Sequence, residues 1–227
     1  MKEKLVLIEV NKVLVTDQRD VSEYVSEAIR SRYGMQPEVR LEDYEGMTSK
    51  EMIIDILKKV GLDDEEIAKR LDGCAEELGY SYYNVAGREA ISIMDGSKQL
   101  LDEMSKRGFL IGIATGEVEE LVKNRLERAG MLDYFKFGSY GNTGTSVKEI
   151  LKMAFERAVR EYGISDPRTV YVIASYPGIL SAAKELGFNS IGVATGKYKK
   201  EELEKAGAEI VVSSLKEKGK IMKKLSE

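Results

Sequence analysis

The chain has 227 residues, and its 35 Lys and Arg against 39 Asp and Glu give a formal net charge of -4. There is no histidine and one cysteine, Cys74, which excludes an intramolecular disulfide and Ser/His or Cys/His nucleophile pairs. Both charge signs are interleaved along the chain, so no nucleic-acid surface is predicted. The N-terminal apolar run at residues 5–10 is too short for a signal peptide or a membrane span, and we expect a cytoplasmic protein without membrane contact.

The first element in chain order is a short apolar run at Leu5–Ile8, which is typical of a buried parallel strand. Three stripes of apolar residues at helical spacing follow, the third over residues 67–78, and no comparable strand interrupts them. The sequence therefore predicts an inserted helical domain at 18–86. The remaining residues, 1–17 and 87–227, are expected to form the core.

Strands and helices alternate in the rest of the chain. Short loops between them indicate a Rossmann-like α/β fold, an open parallel sheet with helices on both faces. Ligands bind such sheets at the carboxyl ends of the strands, which here are residues 9–13, 115–116, 138–144 and 175–179. The predicted strands are 109–114, 134–137, 169–174, 190–194 and 210–212, and the predicted helices are 100–107, 118–129, 147–162, 179–186, 200–206 and the tail 215–225.

Three of these strand ends carry recognisable sequences. Residues 5–17 read LVLIEVNKVLVTD, residues 109–120 read FLIGIATGEVEE, and residues 169–196 read TVYVIASYPGILSAAKELGFNSIGVATG. In this order they resemble the first, second and fourth motifs of the haloacid dehalogenase superfamily of phosphatases, and residues 46–48 and 135–141 resemble its phosphoglycolate-phosphatase branch. The resemblance implies a haloacid-dehalogenase-like core with a small helical cap at the insertion.

The first motif departs from the family pattern at both catalytic positions. Its first Asp attacks phosphorus and its second Asp acts as general acid and base, and the aligned residues here are Glu9 and Asn11. Glu9 moves the carboxylate by about 1.5 Å, and a misplacement of ~1 Å can cost ~100-fold in rate. A carboxamide such as Asn11 cannot carry a proton. A structural role for Glu9, bonded to nearby backbone N–H groups, is the competing interpretation.

The metal-binding positions of the fourth motif have changed as well. The aligned residues are Ser175 and Ile179, whereas magnesium prefers hard oxygen ligands that include carboxylates. The sequence therefore predicts no metal site and no cofactor. Magnesium is expected only if the chain is an active hydrolase.

Four residues are candidates for binding an anion. Thr115 has a hydroxyl donor and Gly116 begins a helix N-terminus, although Thr-Gly is also an ordinary helix start. Lys12 replaces a family glycine and could stand in for the positive charge of the metal. Lys148 lies one residue beyond Val147, the position aligned with the cation of the third motif, and a solvated surface lysine is the alternative interpretation.

Three functions remain open from the sequence. The first is a phosphatase homologue that is inactive or severely impaired in magnesium-dependent phosphoryl hydrolysis and binds a small phosphorylated or carboxylated ligand, a protein partner or a second copy. The second is an active phosphoglycolate- or phosphate-monoester phosphatase with altered chemistry at Glu9. The third is an assembly module, in which Tyr80, Tyr82 and Tyr83 form a partner surface rather than packing locally.

Overall fold

The computed structural model describes residues 4–16, 22–83 and 91–227. In this part of the chain, six strands form one parallel sheet, and two very short strands pair separately in antiparallel orientation. The predicted α/β fold is confirmed. The strands are β1 (Leu5–Ile8), β2 (Val15–Thr16), β3 (Ser92–Ile93), β4 (Leu110–Ala114), β5 (Phe137–Ser139), β6 (Val170–Ala174), β7 (Asn189–Val193) and β8 (Ile210–Val212), and the sheet order is β5-β4-β1-β6-β7-β8.

Helices cover both faces of the sheet and form a separate group after β2. Two of them, at residues 49–59 and 64–68, begin with capping boxes in which Thr48 pairs with Glu51 and Asp63 with Glu66. The helices are α1 (Ser22–Tyr33), α2 (Ser49–Lys59), α3 (Asp64–Ala68), α4 (Leu71–Tyr83), α5 (Ser97–Lys106), α6 (Glu119–Arg128), α7 (Val147–Tyr162), α8 (Pro177–Glu185), α9 (Lys200–Lys205) and α10 (Lys218–Leu225).

The central strand β1 explains why the candidate site lies where it does. Its four side chains are fully buried and alternate between two hydrophobic cores, one on each face of the sheet. Ile8, its last residue, is in register with Ile113 of β4 and Ile173 of β6. The residues that follow these three strands therefore meet at one edge of the sheet.

The helices α1 to α4, residues 22–83, are called the helical segment below. They have their own cluster of buried side chains, which Val118 and Leu121 of the α6 region join from the core side. The helical segment therefore rests on the sheet-forming part of the chain close to the end of β4. The predicted boundaries at 17–18 and 86–87 lie outside the described residues, and the domain division stays a prediction.

Two expectations about individual elements were wrong, and one pair of strands was not predicted. The strand predicted at 134–137 begins only at Phe137, because Leu132–Tyr134 form a 3-10 helix. The apolar stripe at 67–78 is split between two helices, α3 and α4. The pair of β2 and β3 was not predicted, since two-residue strands leave no periodicity to detect. None of the helices among the described residues is both long and apolar enough to cross a membrane.

Candidate functional site

A pocket of about 80 Å³ lies at the carboxyl ends of the central strands, beneath the helical segment. Glu9, Thr115 and Ser175 directly follow strands β1, β4 and β6 and line the pocket from the core. Glu45 and Met47 line it from the helical segment. Of the predicted site residues, the structure brings together all except Lys148. The lining is formed by Glu9, Asn11, Lys12, Glu45, Gly46, Met47, Thr115, Gly116, Glu117, Ser175, Tyr176, Ile179, Gly196 and Tyr198.

The carboxylate of Glu9 is held from inside the protein by Ser175. The backbone N–H of Ser175 donates to Glu9 Oε2 at 2.7 Å, and its hydroxyl donates to the same oxygen at 3.0 Å. Burial raises the pKa of Glu9 to about 7, against the opposing effect of the Ser175 hydrogen bonds. The neighbouring charge of Glu117 raises this pKa further, and that of Lys12 lowers it. Glu9 is therefore partly protonated at neutral pH.

Lys12 keeps a backbone conformation that suits glycine, with φ 61. A left-handed conformation costs an ordinary residue roughly 1–2 kcal/mol, so the surrounding structure must hold it. The Lys12 N–H donates to the carbonyl of Val15 at 2.8 Å, and the Thr195 hydroxyl donates to the carbonyl of Lys12. The turn of the first motif thus persists although its glycine is gone.

The ammonium of Lys12 points to a carboxylate of the helical segment. Glu45 bridges two lysines, with Oε1 at 2.5 Å from Lys12 Nζ and Oε2 at 2.5 Å from Lys197 Nζ. Burial alone would raise the pKa of Glu45, but the hydrogen bonds from both lysines outweigh it and lower the pKa. The cation predicted to attract an anion is therefore already paired.

The Thr-Gly pair of the second motif contacts the protein itself. The Thr115 hydroxyl accepts a hydrogen bond from the Glu117 N–H at 3.3 Å. The Gly116 carbonyl accepts one from the Ser49 N–H at 2.7 Å and one from its hydroxyl at 3.1 Å. A Cβ atom on Gly116 would lie 2.5 Å from the carbonyl oxygen of Met47, so glycine is required there by the close approach of the helical segment.

Two further glycines allow the helical segment and the core to approach each other closely. A Cβ on Gly141 would lie 1.6 Å from the Gly116 carbonyl oxygen, and one on Gly46 would lie 1.8 Å from Cζ of the Tyr176 ring. Real Cβ atoms do not approach other heavy atoms so closely. The start of α2 is therefore docked on the loops that follow β4 and β5, directly over the pocket.

An apolar contact occupies the positions aligned with the third and fourth motifs. Val147 and Ile179 lie together beside Thr115, and Ile179 is 3% exposed. Lys148 points away: its Nζ lies 2.6 Å from Glu185 Oε2 on the exposed surface. The structure therefore corrects the prediction that Lys148 binds an anion in the pocket. Lys148 follows Val147 by one residue, and one residue along a helix is a rotation of about 100°.

A larger cavity of about 380 Å³ continues from the pocket between α6 and the helical segment. Its polar end holds a buried ion pair, with Arg125 Nη1 2.5 Å from Glu117 Oε1, and Arg125 is only 4% exposed. Tyr82, one of the three clustered tyrosines, lines this cavity and contacts the edge of Tyr24, with ring centroids 6.0 Å apart. Tyr80 is exposed, and the Tyr83 side chain lies outside the described residues.

The residues of the pocket do not fit a magnesium ion. Magnesium needs near-octahedral oxygen ligands, usually with one or two carboxylates. In residues 4–16, 22–83 and 91–227, no group of three or more Cys, Asp or Glu side chains is placed to hold a metal. Asn11, Ser175 and Ile179 stand at positions where the family resemblance implies carboxylates, and Glu9 is bonded to Ser175. The other two carboxylates of the lining are paired with cations, Glu45 with two lysines and Glu117 with Arg125.

Comparison with known proteins decides the family. Residues 6–187 match the sequence profile of haloacid dehalogenase-like hydrolases. The chain belongs to this family. It is 22% identical over 213 residues to a phosphoglycolate phosphatase of Vibrio vulnificus strain CMCP6, an alignment that covers 93% of this chain and 92% of the relative. The resemblance to the phosphoglycolate-phosphatase branch is confirmed by this similarity.

Two solved structures share this fold. A hydrolase from Pseudomonas syringae superimposes with a TM-score of 0.71 at 17% identity, covering 98% of this chain and 99% of the other. CbbY from Rhodobacter sphaeroides, solved in complex with phosphate, also gives 0.71 at 17% identity and covers 96% of both chains. At this identity the likeness establishes the architecture only.

The residues of the site that were missed from the sequence include three that form ion pairs there. Glu117 directly follows the Thr-Gly pair and could have been found from that position. Arg125 lies eight residues later on α6 and points back to Glu117. Glu45 lies in the helical segment, 33 positions from Lys12, and no local pattern indicates its partners.

Proposed function

We propose that this haloacid dehalogenase-like protein does not perform magnesium-dependent phosphoryl hydrolysis and acts by binding a small ligand in the pocket under the helical segment. The observation that best supports this is the pairing of Glu9 with Ser175. In the family pattern the aligned positions hold a nucleophile and a metal ligand. Here the two side chains bond to each other, and the carboxylate is partly protonated at neutral pH.

The neighbouring positions support the same proposal. Asn11 can donate and accept hydrogen bonds but cannot move a proton, so leaving-group protonation has no donor there. Ile179 stands at the position of a metal-binding carboxylate, and Val147 stands at the position of the cation of the third motif. These two apolar side chains lie together beside Thr115. A ligand in the pocket would meet hydroxyl, amide and apolar groups, which bind without transferring phosphate.

The charge of the pocket limits the ligand. The sequence suggested a phosphorylated or carboxylated ligand, with Lys12 and Lys148 as its cations. Lys12 is paired with Glu45, and Lys148 lies outside the pocket. A phosphate dianion would compete with Glu45 for Lys12 and would face Glu9 and Glu117, so a ligand of low negative charge is favoured.

A phosphate-release assay tests the proposal. Purified protein is incubated with 2-phosphoglycolate and p-nitrophenyl phosphate, with and without magnesium, beside an active phosphoglycolate phosphatase. We expect phosphate to be released at the rate of the uncatalysed reaction, both with and without magnesium. Magnesium-dependent turnover at an ordinary enzymatic rate would refute the proposal.

A second candidate is an active hydrolase that uses Glu9 as nucleophile or base. The observation that favours it is the pKa of Glu9, which burial raises to about 7, near the optimum for acid–base work at neutral pH. This candidate predicts turnover that the Glu9→Gln substitution abolishes. Turnover that survives the substitution would point to a contaminating enzyme.

A further inference from the structure

The 380 Å³ cavity combines an apolar body with an acidic end. Its volume lies in the range of small-molecule sites. Among the described residues, the charged side chains of its lining are three carboxylates and two cations, namely Glu42, Glu45, Glu117, Lys12 and Arg125. The apolar lining includes Val25, Leu41, Met52, Leu78 and Leu121.

One acceptor at the acidic end lacks a donor. Glu117 Oε1 receives Arg125 Nη1 at 2.5 Å, whereas the buried Oε2 has no hydrogen-bond partner among the described residues. The nearby ammonium of Lys12 is engaged by Glu45. A buried carboxylate oxygen without a donor is destabilising, and a ligand that supplies an N–H group would remove that cost.

We propose that this cavity binds a small organic cation, an apolar molecule with a protonated amine that donates to Glu117 Oε2. The proposal rests on the proposed binding function, since it names the ligand class of the same site. Glu9 faces Glu117 closely enough for their charges to interact. Glu9 itself lines the adjoining 80 Å³ pocket. Arg125 pairs with Glu117 and Lys12 with Glu45, so an ionised Glu9 leaves this end with a net negative charge, which attracts an ammonium and repels a phosphate or carboxylate.

Matched probes test the ligand class on the wild-type protein. Calorimetry at pH 8 without metal compares 2-phenylethylamine, 2-phenylethanol and phenylacetate, which share the apolar body and differ in the head group. We expect the amine to bind at least about tenfold more tightly than the alcohol, because a charge-assisted hydrogen bond is worth about that factor. Phenylacetate is expected to bind most weakly.

Two variants test the role of Glu117. Glu117→Gln removes the charge and keeps the shape, and Glu120→Gln is the matched control, since Glu120 Oε2 is also buried and unpartnered but does not line the cavity. We expect the preference for the amine to fall below about threefold only in Glu117→Gln. If this variant does not fold, the wild-type comparison of amine with alcohol decides.

Three results would overturn the proposal: no binding of the amine at millimolar concentration, equal binding of amine and alcohol, or an amine preference that Glu117→Gln leaves intact. Tighter binding of phenylacetate or 2-phosphoglycolate without metal would also overturn it, yet would leave the proposed binding function standing. Magnesium-dependent phosphate release would instead refute the proposed function.

Discussion

Ser175 donates two hydrogen bonds to a single oxygen of Glu9, one from its backbone N–H and one from its hydroxyl. This joins the ends of β1 and β6 at the point where the family pattern has two carboxylates. Both donors favour the ionised form of Glu9, yet burial outweighs them and raises the pKa of Glu9 to about 7. The pair therefore makes the charge of the pocket change with pH near neutrality.

Removing the Ser175 hydroxyl tests this balance. In Ser175→Ala we expect the pKa of Glu9 to rise above about 7, because one hydrogen bond to the ionised form is lost. At pH 8 the free energy of unfolding falls by about 1 kcal/mol. NMR titration of the Glu9 side-chain carboxyl measures the first effect and urea denaturation the second.

The control for this substitution is Ser181→Ala, which removes a hydroxyl that donates to the Ala206 carbonyl far from Glu9. It should leave the Glu9 titration unchanged. An unchanged Glu9 pKa in Ser175→Ala would show that the hydroxyl does not act on this carboxylate.

Stability should depend on pH through Glu9. Its pKa is raised from 4.5 to about 7, so between these values the folded state binds more protons than the unfolded state. Stability contributed by protonated Glu9 is present below pH 4.5 and is lost as the pH rises to 7. The size is on the order of 3 kcal/mol at most.

Glu9→Gln should remove this dependence. Urea denaturation measures the free energy of unfolding of both proteins at pH 5 and at pH 8. We expect the difference, variant minus wild type, to be more positive at pH 8 than at pH 5. Comparing the two proteins cancels other groups, such as Glu217, whose pKa the Lys220 and Ser213 hydrogen bonds lower to about 2. Parallel pH profiles of the two proteins would contradict the assignment.

Ionisation of Glu9 should strengthen the binding of cations in the pocket and weaken the binding of anions. Glu9 ionises near pH 7, and the other charged groups that act on it are Glu117 and Lys12. From pH 6 to pH 8 we expect 2-phenylethylamine to bind on the order of tenfold more tightly and 2-phosphoglycolate to bind more weakly. Calorimetry at both values measures this, and a flat profile for the amine would count against a role of Glu9.

Glu45 should hold the helical segment on the core. Glu45→Gln weakens the contacts to Lys12 and Lys197. Hydrogen exchange of the Ser49 and Lys50 amides, which donate to Gly116 and Gly141, should then become about two- to tenfold faster.

Glu185→Gln is the matched control, because it weakens a lysine contact of the same kind with Lys148 on the exposed surface. It should leave the exchange of both amides unchanged. Equal exchange in Glu45→Gln and wild type would mean that the glycine contacts alone hold the helical segment.

The glycine contacts have their own test. In Gly141→Ala the added methyl meets the Gly116 carbonyl at 1.6 Å, and neither backbone can yield without moving α2. We expect a loss of about 1–3 kcal/mol or more in the free energy of unfolding. Gly219→Ala meets nothing within 4 Å in α10 and should be neutral or slightly stabilising, so a similar loss in both variants would contradict the close approach.

The sequence predicted the sheet because its strands are apolar runs closed by glycine-rich or polar turns. β1 and β8 were placed to the residue, and so was α7, which ends at Gly163 with φ 73. β5 was misplaced because its residues after Phe137 are Gly and Ser, which carry no apolar signal, whereas Tyr134 and Phe135 do.

The site was predictable only where it follows the strand ends. Glu9, Thr115 and Ser175 converge because they follow three strands that are neighbours in the parallel sheet and end at the same edge. The pairing of Glu45 with Lys12 and Lys197 depends on how the helical segment docks, which local sequence does not encode. The burial that raises the pKa of Glu9 is likewise a property of the folded chain.

The most direct test of the account is metal binding itself. Manganese serves as a magnesium analogue, and electron paramagnetic resonance measures the free ion while protein is titrated at pH 8. The account predicts that the free manganese signal is undiminished at millimolar protein, in wild type and Glu9→Gln alike. One equivalent bound by wild type, displaced by magnesium and lost in Glu9→Gln, would contradict it.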